Sequence, residues 1–148
     1  MLFFIFWKTF EMKTKILIIL ILFVVLIACN KDDEANVDNL YHSWEAKSFM
    51  SVESAAYPKT EGRKIGLVFF KDGTYGLNLD VNGCGGTFKV SDNSIEISSA
   101  MCTLICCDSK FSEKLAIMLP KVTTYKIDGK TLKLNVPQWG YIELELSE

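Results

Sequence analysis

Cysteines are the residues of this chain best equipped for chemistry, and four of its five lie in the second half: Cys84, Cys102, Cys106 and Cys107. An even number of thiols in a secreted chain reads as a disulfide framework. Four cysteines allow three pairings. A bond between the neighbours Cys106 and Cys107 would strain the peptide, which leaves Cys84–Cys106 with Cys102–Cys107, or Cys84–Cys107 with Cys102–Cys106. Either choice brings Cys84 within ~7 Å, Cα to Cα, of the Cys106–Cys107 pair. A four-thiolate zinc site and a redox role are the competing uses. However, Cys-x3-Cys-Cys is not an ordinary ligand spacing, and the Cys-x-x-Cys arrangement that tunes a redox thiol is absent.

Other catalytic patterns are weaker. His42 is the single histidine and has only Ser43 beside it. Metalloprotease helices need two histidines. Gly83-Cys84-Gly85-Gly86 is glycine-rich, but no Lys-Ser/Thr follows to hold phosphate, so its glycines are assigned to a turn or bulge. Glu143 and Glu145 share one strand face near the chain end and read as solvated positions. The sequence therefore predicts no catalytic residue, no metal and no cofactor.

Cys29, the fifth thiol, has a different setting. Lys13 and Lys15 precede an apolar stretch from Ile16 to Ile27, and the small residue Ala28 comes just before the cysteine. This is the layout of a secretory signal, and the stretch falls short of the ~20 apolar residues a membrane span needs. Leu26-Ile27-Ala28-Cys29 resembles a bacterial lipobox, in which the cysteine begins the mature chain and its sulfur carries diacylglycerol with palmitate-type acyl chains. Residues 1–28 are thus read as signal peptide. Glu11 disrupts the charge pattern of a start at Met1, so Met12 is the better initiator. Residues 29–39 form a lipidated cysteine and a polar, acidic tether. Asn30 follows Cys29 where an inner-membrane retention signal would have Asp, which directs the expectation to the outer membrane. Lys31-Asp32-Asp33-Glu34 resembles an acidic surface-export tract, so the periplasmic face and the cell surface both stay open.

Charge limits the partners. The chain holds 16 basic and 18 acidic residues for a net charge of −2, with no basic patch. That speaks against nucleic acid. The expected partners are a bilayer, through acylated Cys29, and an envelope protein, with the chain itself monomeric.

The elements that must position the thiols are mostly strands. Ile65–Phe70 and Tyr75–Leu79 flank Lys71-Asp72-Gly73-Thr74, and Phe88–Val90 and Ile95–Ile97 flank Asp92-Asn93. Tyr125–Ile127 and Leu132–Leu134 flank Asp128-Gly129, and Ile142, Leu144 and Leu146 follow Pro137–Gly140. Asp-Gly turns of two residues call for positive φ at both positions. Between the second and third hairpins the period changes: Phe111, Leu115, Met118 and Leu119 mark one helix face, capped by Asp108 or Ser109 and ended by Pro120. Strands joined by tight turns are antiparallel. The expectation is an α+β, mostly β fold: an antiparallel curled sheet or partly open barrel of about eight strands, covered by one α-helix within Asp108 to Leu119. Ser48 to Arg63 has no clear period and reads as a long loop. The aromatics Tyr41, Trp44, Phe49, Phe69, Phe70, Tyr75, Phe88, Tyr125, Trp139 and Tyr141 are assigned to the core rather than to a ligand cavity.

Residues 40–148 resemble the META domain family, also called HslJ-like. Trp44 stands for its opening tryptophan, and Phe70-Lys71-Asp72-Gly73-Thr74-Tyr75 for its strand–turn–strand. Asn82-Gly83-Cys84-Gly85-Gly86-Thr87-Phe88 is similar to its Gly-Cys-Asn…Gly-x-Tyr signature, with Gly83, Cys84 and Gly86 in place but no asparagine after the cysteine. Thr103-Leu104-Ile105-Cys106-Cys107 falls where the family has Thr-x-Met-Ala-Cys, so Thr103 and Cys107 match. The resemblance implies a domain of envelope or secreted proteins, some tied to heat shock, drug tolerance or virulence, with no catalytic residues attached. Its alignment of Cys84 with Cys107 favours the Cys84–Cys107 pairing. The function expected is a non-catalytic envelope lipoprotein that binds protein or supports envelope integrity. A lipocalin-like binder of an apolar ligand and a thiol redox protein are the alternatives.

Overall fold

The computed structural model describes residues 37–60 and 62–148. The residues read as signal peptide, Cys29 and the residues read as tether as far as Asn36 lie outside the described residues, as does Glu61.

Among the described residues, ten strands and one α-helix follow in chain order: β1 (Ser43–Ser51), β2 (Ala56–Pro58), β3 (Gly66–Phe69), β4 (Thr74–Asn78), β5 (Gly83–Ser91), β6 (Ser94–Ile97), β7 (Met101–Cys102), α1 (Lys110–Met118), β8 (Thr124–Asp128), β9 (Thr131–Val136) and β10 (Gly140–Leu146). All pairings are antiparallel. The order β10-β9-β8-β6-β5-β4-β3-β1, with β1 also paired to β10, bends the sheet into a ring. Its weak seam is β6 against β8, where Ser94 opposite Thr124 is the one registered pair. The backbone bonds Ile95 N–H to Thr123 O (2.9 Å) and Tyr125 N–H to Asn93 O (3.0 Å) reinforce it. This is a barrel that does not quite close, as the alternation of the sequence predicts. Short strands β2 and β7 hang on β1 and β5 outside the ring.

The interior is filled by alternate residues of every ring strand, including Trp44, Phe49, Phe69, Tyr75, Phe88 and Tyr125, all buried. The Trp44 Nε1–H donates to Leu40 O at 3.0 Å, so the ring's polar tip is satisfied inside the core. Phe70 departs from expectation: it is 47% exposed, because it begins the β3–β4 turn and faces outward. Tyr41, Trp139 and Tyr141 are half-buried.

Helix α1 lies inside the expected span. Ser109 is its N-cap, accepting from Ser112 N–H, and a 3-10 turn at Leu119–Lys121 that contains Pro120 ends it. Leu115, Met118 and Leu119 are buried on one face. Phe111 meets the Phe49 ring at 4.6 Å between centroids, which docks the helix on β1. The Lys114 ammonium lies 4.6 Å from the Trp139 ring centroid, 5.1 Å from Tyr57 and 5.3 Å from Phe49, a cation–π contact with three rings at once.

Two local expectations are corrected. Ser48–Arg63 is not a loop throughout, since β1 runs to Ser51 and β2 pairs with it from Ser48 opposite Pro58 to Met50 opposite Ala56. A register shift between Ala46 and Ser48 changes the inward phase from Trp44 and Ala46 to Phe49, so a period-two pattern fails there. The Asp-Gly turns also differ. Gly73 (φ 83°) and Gly129 (φ 58°) take positive φ, but Asp72 and Asp128 do not. The first turn has a Gly73 N–H bond to Phe70 O and a Phe70 N–H bond to Thr74 O, the pattern of a three-residue loop with a glycine bulge. Asp72 stabilises it from the side chain by accepting from Thr74 N–H and the Thr74 hydroxyl.

Candidate functional site

The polar chemistry of the domain converges on the β4–β5 turn. Leu79 N–H donates to Asn82 O at 2.8 Å and closes that turn, which puts Asp80 and Asn82 side by side facing the start of α1. Asp80 is 8% exposed. One of its oxygens accepts from the hydroxyls of Ser109 and Ser112 and from Ser109 N–H at 3.1 Å. The other accepts from Arg63 N–H at 2.7 Å and lies 3.9 Å from the Lys59 ammonium. A carboxylate facing the first turn of a helix also meets the positive end of its dipole. Burial alone would raise the Asp80 pKa, but the bonds from Ser109, Ser112 and Arg63 outweigh it and bring it from the usual 3.8 to about 2.

Gly62 stands against this carboxylate. Its φ is +79°, and a Cβ there would overlap Asp80 Oδ1, so only glycine fits.

Asn82 organises the other side. Its Oδ1 accepts from Thr103 Oγ1–H and from Ile105 N–H, both at 2.8 Å, and its Nδ2 donates to Ile105 O and Asp108 Oδ2, both at 2.6 Å. Asp108 in turn accepts from Val81 N–H at 2.8 Å and Asn82 N–H at 3.3 Å. Burial opposes ionisation of Asp108, yet the bonds from Asn82 and Val81 lower its pKa overall. Ser109, not Asp108, is therefore the helix cap, and Asp108 caps the turn. Among the described residues no buried side-chain nitrogen or oxygen lacks a partner.

The thiols sit beside this cluster, but not as expected. Cys84 pairs with Cys102, Cα atoms 4.0 Å apart, across the β5–β7 ladder where the two residues are directly opposed. Cys106 and Cys107 have their sulfurs together as sequence neighbours. Neither Cys84–Cys107 with Cys102–Cys106 nor the alternative crossing forms. The short strand Met101–Cys102 is the reason. It adds to the outer edge of β5 and delivers Cys102 to Cys84 before the chain reaches residue 106. Among the described residues no three His, Cys, Asp or Glu side chains are placed to hold a metal ion.

The remaining motif residues fall into place as structure. Thr103 bonds Asn82, as above, and its hydroxyl also accepts from Gly83 N–H at 3.2 Å. Gly86 lies in β5, not in a turn. A Cβ there would come 2.6 Å from Ser98 Oγ and 2.8 Å from the Tyr75 ring, whose hydroxyl donates to Ser98 O. His42 is exposed.

A second polar feature is a groove of about 590 Å³ between β1, β3, β10 and the chain end, lined by Glu45, Lys47, Lys64, Lys130, Glu145 and Glu148 among others. Lys47 lies 2.9 Å from Glu45 and 3.6 Å from Glu145. The Lys47 hydrogen bond lowers the Glu45 pKa, and Glu45 raises that of Lys47. Asp80 and Ser112 carry no sequence signal of their own. Both sit in polar-looking stretches, and only the folded turn shows that they meet.

Asp80 also sets an acid dependence. With its folded pKa at about 2, below the unfolded value, the unfolded state binds the extra proton between those two values. Its contribution is complete above pH ~4 and is lost as the pH falls through 2, about 2 kcal/mol in all. Urea unfolding of wild type and Asp80→Asn at stepped pH checks this. The stability gap between them is expected to shrink from pH 5 to pH 2, and a constant gap contradicts it.

Comparison with known proteins adds the family. No curated protein matches the chain. Two solved structures share the fold. One is an NMR structure of a protein from Burkholderia xenovorans, at 14% identity and TM-score 0.59, covering 74% of this chain and 85% of that one. The other is a crystal structure of a DUF4847 family protein from Bacteroides vulgatus ATCC 8482, at 16% identity and TM-score 0.57, covering 74% and 96%. The META domain model matches residues 37–142, which contain β1 to β9, the first residues of β10, the Asp80–Asn82 turn and both cysteine pairs. The chain belongs to the META domain family.

Proposed function

We propose that this protein is a non-catalytic envelope lipoprotein, anchored through Cys29, whose META domain binds another envelope protein and supports envelope integrity. The observation that carries the reading is the commitment of Asp80. A carboxyl with a pKa of about 2 that already accepts four hydrogen bonds is a poor proton shuttle near neutral pH. It is suited to holding a turn and a helix together. The cysteine pairing supports an oxidising compartment. Inward aromatic and aliphatic side chains pack the ring, and the mixed-charge groove on the outer surface supports recognition of another protein.

Pull-down of the full chain from chemically cross-linked envelopes tests this. A specific protein partner, lost when Glu45→Lys and Lys47→Glu are introduced together, is the expected result. Recovery of no partner, or of the same partner with the charge-reversed groove, counts against it. A thiol–disulfide exchange reading draws on the exposure of Cys102, Cys106 and Cys107. A mixed disulfide trapped by Cys106→Ser would favour it instead.

A further inference from the structure

Strand β7 and the loop that follows it present apolar side chains to solvent. Met101 is 83% exposed, Leu104 99% and Ile105 57%, with Val81 of the adjacent turn at 44%. No charged residue occurs between Ile97 and Cys107. Exposed apolar side chains grouped in this way mark interaction sites.

The loop's backbone is also held firmly. The Asn82 side chain bonds both the N–H and the C=O of Ile105, Thr103 N–H donates to Gly83 O at 3.0 Å, and Cys102 is tied to Cys84. Polar backbone groups already paired within the protein can leave water without the penalty of unsatisfied donors and acceptors. A loop fixed before contact also loses little conformational freedom on docking.

We propose that Met101, Leu104, Ile105 and Val81 form a membrane-contact site that dips into the interfacial region of the bilayer. This inference rests on the lipoprotein reading, which places a bilayer within reach. The described chain begins at Val37 in a 3-10 turn, and the nearby Tyr41 ring packs 6.4 Å from Phe88 of β5. The loop hangs on the same strand at Cys84 and Gly85. Four residue steps along β5 separate Cys84 from Phe88, about 13 Å. The eight residue steps from Cys29 to Val37 reach at most ~29 Å. An acyl anchor at Cys29 therefore lets the loop touch the surface from which the tether starts. Four side chains at a tip are few beside the ~800 Å² per partner of a stable protein interface. A bilayer needs no matching cavity, and amphipathic contacts of this kind depend on buried apolar area. The lipid anchor gives attachment, and the loop gives orientation.

Leu104→Trp in the mature protein, mixed with phosphatidylethanolamine–phosphatidylglycerol vesicles whose acyl chains are brominated, tests the site. Emission is read as the difference from wild type, and the intact mass of the same sample reads the anchor independently. The expected result is a blue shift and quenching by bromine, with quenching reduced about tenfold when Ile105→Asp is added. Unshifted, unquenched emission from a sample that carries the acyl mass overturns the loop proposal and leaves the anchor reading standing. Quenching without acyl mass does the reverse. A photo-cross-linker at position 104 that labels a protein rather than lipid in native envelopes also overturns the proposal.

Discussion

Asp80→Ala is expected to lower the stability of the domain by about 3–5 kcal/mol, enough to leave a small domain largely unfolded near 37 °C. The carboxylate is the common acceptor for the Ser109 and Ser112 hydroxyls, Ser109 N–H and Arg63 N–H, and the Lys59 ammonium lies 3.9 Å away at a side chain 11% exposed. Alanine removes the acceptor and leaves the donors in a site closed by Gly62 and the first turn of α1. Removing one member of a buried polar cluster destabilises far more than a surface substitution does. Chemical denaturation at pH 7 measures it. Asp80→Asn, which keeps the shape and one acceptor oxygen, should fall between the two. A loss under 1 kcal/mol for Asp80→Ala would mean that the cluster holds little.

The second large effect belongs to one cysteine pair and not the other. Cys84–Cys102 closes a loop across a sequence separation of 18, worth about 3 kcal/mol in the chain-entropy model. Cys84→Ser with Cys102→Ser should therefore lower Tm by ~10–15 °C while the far-ultraviolet spectrum of the ring stays recognisable. Cys106 and Cys107 are adjacent and enclose no loop, so the same double replacement there should change stability by less than ~0.5 kcal/mol. Thermal melts of the two double variants decide between this pairing and a crossed one. If both variants melt alike, Cys84 is not paired as described.

The ring strands were legible because each places one face on the core, and a half-buried strand has a period of two. The helix was legible because Phe111, Leu115, Met118 and Leu119 break that period at a fixed place. What escaped was whatever depends on a local exception. The β1 bulge between Ala46 and Ser48 hid the second half of that strand, and β7, only two residues long, was too short to leave a pattern. The cysteine pairing failed for the same reason: without β7, nothing brings Cys102 opposite Cys84. The roles of Asp80 and Asn82 do not show in the sequence, because their partners lie as much as 32 residues away in the chain and no spacing rule connects them. Thr103, Gly83 and Gly86 were named from the family resemblance, and the structure gives each a physical place: Thr103 and Gly83 in the Asn82 clamp, Gly86 against Tyr75.

The proposed anchor, the proposed compartment and the reach of the apolar loop all follow from lipidation of Cys29. Intact mass of the protein extracted from membranes, with fragmentation of its N-terminal peptide, tests that claim most directly. The expected result is a chain that begins at Cys29 and carries diacylglycerol on the sulfur. A chain that retains the residues before Cys29, or begins elsewhere, or bears an unmodified Cys29, would contradict it.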